Sequence, residues 1–191
     1  MALWRETIQY WKQITGGVIF KRGKQSSRPA RQKRARPVGA AGKREALTVN
    51  DQHFARLERM YLAAPCNQPY QPDIHIQRGR AEVSIQVKPD FFHAGGSLHG
   101  SVYFKLLDDA AFFAAQSLLT DHFLLTADFT IYFLKPVTSG RLTACGEVIS
   151  AGQQLFVAQA TLTDERGRKV GFGSGTYART RIRLSEKMGY R

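Results

Sequence analysis

Between Leu98 and Leu119 the chain runs almost without charge, interrupted only by Lys105, Asp108 and Asp109. Placed at ~100° per residue, Lys105, Asp109 and Gln116 fall on one narrow stripe, with Asp108 at its margin. Every other direction carries Val, Leu, Phe, Tyr, Ala or small residues. A helix apolar nearly all round belongs inside a protein, and this one is too interrupted to cross a bilayer. The pattern predicts a central helix that other elements must wrap.

The flanking pattern supplies the wrapping. Asn50 or Asp51 can cap a helix through about Ala64, with Phe54, Leu57, Tyr61 and Leu62 as its apolar face. Pro65, Pro69 and Pro72 break it. Segments 73–78 and 80–87 alternate as strands around Gly79, with Ile74, Ile76, Val83, Ile85 and Val87 on the core-seeking phase. Beyond the helix, 123–134 alternates over its whole length. Phe123, Leu125, Ala127, Phe129, Ile131 and Phe133 fall on one face, and Thr126, Asp128, Thr130 and Tyr132 on the other. Segments 141–150, 154–163 and 169–180 complete four long antiparallel strands, with residues 164–168 as a hairpin turn. The expected fold class is α+β, an antiparallel sheet curled around a long central helix.

Charge changes the picture in one place. The 191 residues carry a formal charge of +13, and residues 1–50 hold 12 Lys/Arg against Glu6 and Glu45, a balance of +10. The remaining residues hold 16 Lys/Arg against 13 acids, only +3. Residues 1–20, with Trp4, Ile8, Tyr10, Trp11 and Ile14, can form a short amphipathic helix. Residues 21–44, with Pro29, Pro37 and the run Arg31, Lys33, Arg34, Arg36, cannot repay their ordering entropy and read as disordered. Residues 1–48 are therefore expected to be a basic, largely disordered extension. That extension suits a nucleic-acid arm, a membrane-surface anchor or a targeting peptide. Alternatively it does nothing or is not translated, since codons for Leu47 and Val49 can serve as bacterial starts. The expected organisation is thus 1–48 extension, 49–183 domain and 184–191 tail. Cys66 and Cys145 lack metal-ligand spacing, and a reducing cytoplasmic setting is the expectation.

Four short pieces carry the chemistry: Gly96-Ser97-Leu98-His99-Gly100, Leu107-Asp108, the run 128–136 ending in Lys135-Pro136, and Gly173-Ser174-Gly175-Thr176. In this order and spacing, residues 51–180 resemble the hotdog fold, specifically the PaaI-type acyl-CoA thioesterases. The resemblance implies hydrolysis of an acyl-CoA thioester to free acid and coenzyme A. The backbone N–H of Gly100 would polarise the carbonyl, and the Asp108 carboxylate would act as nucleophile or general base. It further points to Thr126 as assisting the water and to His93, standing where relatives often carry Asn. His99 either contacts the thioester or simply bonds backbone groups at the helix entry. Coenzyme A enters as part of the substrate, with no separate cofactor and no metal. Lys135, Arg141, Arg179 and Arg181 are candidates for its phosphates, and Gly173 for contact with it.

Asp109 has a structural reading, pairing with Lys105 at i, i+4, whereas Asp108 is left nearer the apolar face, where a carboxylate needs a reason to be. Eight residues at ~1.5 Å rise separate Gly100 from Asp108 by about 12 Å, so one helix cannot present both to one carbonyl. Two antiparallel helices related by a twofold can, which predicts a homodimer or a dimer of dimers. Two rivals remain. One is a hotdog dehydratase or hydratase using His93 or His99 with Asp108. The other is a non-catalytic acyl-CoA-binding regulator whose basic arm contacts nucleic acid.

Overall fold

The computed structural model describes residues 49–191, and the expectations for residues 1–48 lie outside the described residues. Helix α1 spans Val49–Ala63 and ends at Pro65, which opens a 3-10 turn through Asn67. Strands β1 (Asp73–Gln77) and β2 (Arg80–Gln86) form a hairpin around Gly79, whose φ of 73° favours a residue without Cβ. Helix α2, Gly100–Gln116, is followed by β3 (His122–Phe133), β4 (Arg141–Ala151), β5 (Leu155–Asp164) and β6 (Lys169–Arg183). All strands belong to one antiparallel sheet ordered β1-β2-β4-β5-β6-β3. The sheet packs around α2, the hotdog arrangement that the resemblance implied. Among the described residues no helix is long and apolar enough to cross a membrane.

The packing explains the composition of α2. Leu106, Leu107, Ala110, Ala111, Ala114 and Ala115 are buried against the sheet, and the small side chains let strands approach closely. The approach is tightest at Gly146 on β4, where an added Cβ would lie 2.2 Å from the carbonyl oxygen of Ala110. No rotamer relieves that overlap, because both sides are backbone. Gly146→Ala is therefore expected to cost about 3 kcal/mol or more, the upper end for overpacking. Urea unfolding measures this, and a loss below about 1 kcal/mol would show that α2 shifts freely.

Gln116 shares the stripe with Lys105 and Asp109, and it is fully buried. Its amide donates to the carbonyls of Leu119 (2.9 Å) and His122 (3.0 Å) and accepts from the N–H of Leu124 (2.8 Å), which closes the α2–β3 turn. One expectation of the fold is corrected: β3 does not alternate in one phase. Its pairing with β6 shifts register between His122 and Leu124 and again between Thr126 and Asp128. Before the second shift Leu124 is buried and Leu125 half exposed. After it, Phe129 meets the ring of Phe104 and Phe133 that of Tyr103. An extra residue in one strand inverts its side-chain phase, so an apolar set that looks continuous in sequence changes face midway.

Candidate active site

The bulge in β3 places Thr126 on the side that faces α2. Its hydroxyl donates to both carboxylate oxygens of Asp108, at 3.1 and 3.2 Å. Directly across the ladder from Thr126 stands Tyr177 of β6. This tyrosine is fully buried, and its hydroxyl lies 3.2 Å from Oδ1 of Asp108 and 3.4 Å from the Asp108 carbonyl. Burial pushes the Asp108 carboxyl up to about 6; the bond from Thr126 opposes this and the neighbouring Asp109 reinforces it. Burial, reinforced by Asp108, likewise pushes the Tyr177 phenol up, so it stays protonated and donates.

Tyr177 was not singled out from sequence. One signal was available: it is a bulky phenol on β6 that follows three small residues and occupies the core phase.

Asp108 and Thr126 open onto a cavity of about 370 Å³. Phe112 and Phe113 of α2, Phe123 and Leu125 of β3, Met60 and Tyr61 of α1, and Met188 line it. The neighbouring Asp109 lines the same cavity but already has partners. It accepts from Lys105 at 2.8 Å and from the hydroxyl of Tyr61 at 2.8 Å, while Lys105 also reaches Asn67 at 2.5 Å. Both carboxylates line the cavity, but Asp109 is tied to a lysine and a phenol, whereas Asp108 is held by the hydroxyls of Thr126 and Tyr177.

Gly100 belongs to a second cavity, of about 380 Å³, lined by His93, Ser97, Tyr103, Phe133 and Lys135. His99 is the N-cap of α2. Its Nδ1 accepts from the N–H of Ser101 at 3.1 Å and lies 2.8 Å from the Ser101 hydroxyl. The first hydrogen bonds at this helix start therefore come from Ser101 and Val102, both directed to His99. Among the described residues no acceptor takes the N–H of Gly100, which sits at the positive end of the helix.

His93 is spent on its own loop, with Nδ1 accepting from Gly95 N–H and Nε2 2.9 Å from the Ser97 hydroxyl. Its ring lies 6.4 Å from that of His99, and among the described residues the hydroxyls of Thr126 and Tyr177 are the groups that hydrogen-bond to Asp108.

The coenzyme A candidates divide. Lys135 lines the Gly100 cavity and also an adjoining one with Arg166 and Arg168. Arg141 does not join them. It is tied to Asp73 and to Ser84 (2.7 Å) on the β1–β2 side of the sheet. Arg179 is held by Asp121 (2.6 Å) and His122 (2.9 Å), while Arg181 is exposed on β6. Gly173 has a packing reason instead of a binding one. An added Cβ there would lie 2.5 Å from the ring of Phe129, and one at Gly175 likewise, so the two glycines let that ring lie across β6.

Known proteins are similar to this chain in sequence and fold. Residues 95–171 match the family model described as thioesterase superfamily. A Saccharolobus solfataricus protein assigned as an esterase is 31% identical over 114 residues, which span 60% of this chain and 81% of that one. The chain belongs to the thioesterase superfamily. The 1,4-dihydroxy-2-naphthoyl-CoA hydrolase of Listeria monocytogenes is 29% identical over 93 residues, 48% of this chain and 76% of that protein. Among solved structures, the Escherichia coli PaaI protein from the phenylacetic acid degradation operon superposes with a TM-score of 0.66 at 24% identity. It covers 72% of this chain and all of that one, which establishes the hotdog fold of this thioesterase-superfamily member.

Proposed function

We propose that this chain is an acyl-CoA thioesterase in which Asp108 is the nucleophile or general base and the N–H of Gly100 stabilises the oxyanion. The observation that carries this reading is the Asp108 carboxyl. It faces an apolar cavity, is held by two hydroxyl donors, and is poised near neutrality by burial, as a base working near pH 7 requires. The coenzyme A hydrolase among the relatives supports the substrate class. The mainly apolar lining suits an acyl group, while Lys135 and Arg166 beside the Gly100 cavity suit phosphates. The N–H of Gly100, at a helix start, suits a developing oxyanion.

The two halves lie in separate cavities about 12 Å apart along α2. This favours a dimer in which Asp108 of one copy works with Gly100 of another. Edge strand β3 and α2 leave Leu125, Tyr132, Phe133, Leu134 and Phe104 exposed, a surface fit for a second copy. The dehydratase alternative needs a His–Asp pair; within the chain His93 and His99 are engaged by Gly95, Ser97 and Ser101 instead.

Thiol release from short, medium, long and aromatic acyl-CoAs tests the reading, and its pH profile tests the role of Asp108. Only the ionised carboxylate can attack or accept a proton. Hence kcat/KM should rise about tenfold per pH unit below 6 and level off above about 7. Release of no thiol from any substrate would refute the thioesterase. A profile flat down to pH 5 would remove Asp108 from the reacting group.

A further inference from the structure

One part of the wall of the Asp108 cavity comes from a segment that the sheet does not need. After β6 ends at Arg183, residues 184–191 turn back over α1. The N–H of Leu184 donates to the Asp121 carbonyl at 3.1 Å, and a 3-10 turn, Glu186–Met188, ends at Gly189 with φ 85°. The left-handed residue reverses the chain close against α1, where an added Cβ would be 3.3 Å from the Cα of Met60. Tyr190 then anchors the segment. Its hydroxyl lies 2.7 Å from Nδ1 of His53, and the Arg56 guanidinium sits 5.7 Å from its ring centre. His53 is itself buried, with Nε2 3.3 Å from the Gln116 carbonyl at the end of α2, and burial lowers its pKa, so the ring stays neutral. Arg59 reaches the carbonyl of Arg191.

The consequence lies at Met188. This side chain comes from the segment, packs against the core, and faces the same cavity as Asp108 and Met60. We infer that residues 184–191 are a strap that closes the acyl cavity, and that Met188 is the stop that sets the acyl length accepted. The inference rests on the thioesterase reading and names the residues that would give it specificity. Methionine suits such a stop because it is unbranched, polarizable and adapts its shape to a partial contact. The strap is fastened to α1 and to Asp121 in the α2–β3 turn, and its loss opens the cavity without removing Asp108, Thr126 or Tyr177.

The test compares kcat/KM for butyryl-, octanoyl- and palmitoyl-CoA in the full chain, in a chain stopped after Leu184, and in Met188→Ala. The full chain should discriminate against palmitoyl-CoA. Stopping after Leu184 should raise the palmitoyl-to-butyryl ratio by at least about tenfold, which two additional buried methylenes suffice to supply. Met188→Ala should move it in the same direction by a smaller factor, and it keeps the anchors, so it serves if the shortened chain does not fold. Ratios unchanged in the folded variants would overturn the strap while leaving the thioesterase intact. If the full chain cleaves none of the three and no aromatic acyl-CoA either, the thioesterase reading has failed instead. Calorimetric binding of the corresponding free acids then decides the strap on its own: tighter palmitate binding in Met188→Ala supports it, and equal binding overturns it.

Discussion

Asp108→Asn lowers kcat by at least about 100-fold while the protein stays folded, because removing a positioned base or nucleophile costs that much or more. The amide keeps the shape of the carboxyl and can still accept from Thr126 and Tyr177, the two groups that hold Asp108. What it lacks is the charge. Stability supplies a control with the opposite sign. The Asp108 carboxyl is shifted from its ordinary 3.8 up to about 6, so the folded state binds its proton more tightly than the unfolded state does. Wild-type stability therefore falls as pH rises from 3.8 through about 6, and this loss is complete above that range. Asn has no charge to bury. The variant should consequently melt above wild type at pH 8 and lose that advantage by pH 4. Asp109→Asn should leave chemistry nearly intact, since Asp109 is bound by Lys105 and Tyr61. Losses in kcat of the reverse order would show that the wrong carboxylate has been assigned.

Mixing two dead homodimers should restore about a quarter of wild-type activity. One subunit carries Asp108→Asn. The other carries Gly100→Pro, which removes the backbone N–H at the first position of α2, where proline is otherwise tolerated. Gly100 is close to Phe133, with a would-be Cβ 3.2 Å from its ring, so circular dichroism and sizing must first show that the proline variant folds and associates. If each site draws Asp108 from one copy and Gly100 from the other, both homodimers have two damaged sites. A mixed dimer has one site with both defects and one with neither. Random exchange makes about half of the dimers mixed, each with one working site, which gives the quarter. Recovery near zero, with subunit exchange confirmed, would exclude the shared site. Activity retained by the Gly100→Pro homodimer would exclude the N–H as the essential oxyanion donor.

The sequence alone determined the elements and much of their assembly. Charge confined to Lys105, Asp108 and Asp109 along an otherwise apolar segment identified the central helix, because a chain that buries such a surface must surround it. Alternation and the turn residues marked every strand of the sheet to within a few positions, since those signals are local. Asp108 stood out for the same reason, as a carboxylate facing the apolar side. Tertiary structure decided what depends on register and on residues distant in the chain. The bulge after Thr126 reverses the face of β3 and brings that hydroxyl to Asp108, and nothing in a plain alternation reveals where an unpaired residue falls. Tyr177 reaches Asp108 across 69 positions because β6 is hydrogen-bonded beside β3. Arg141 looked like a phosphate ligand but is neutralised by Asp73, 68 positions away and brought close by the β1–β2–β4 pairing. Charge is visible in sequence. Whether an ion pair has already claimed it depends on which strands become neighbours.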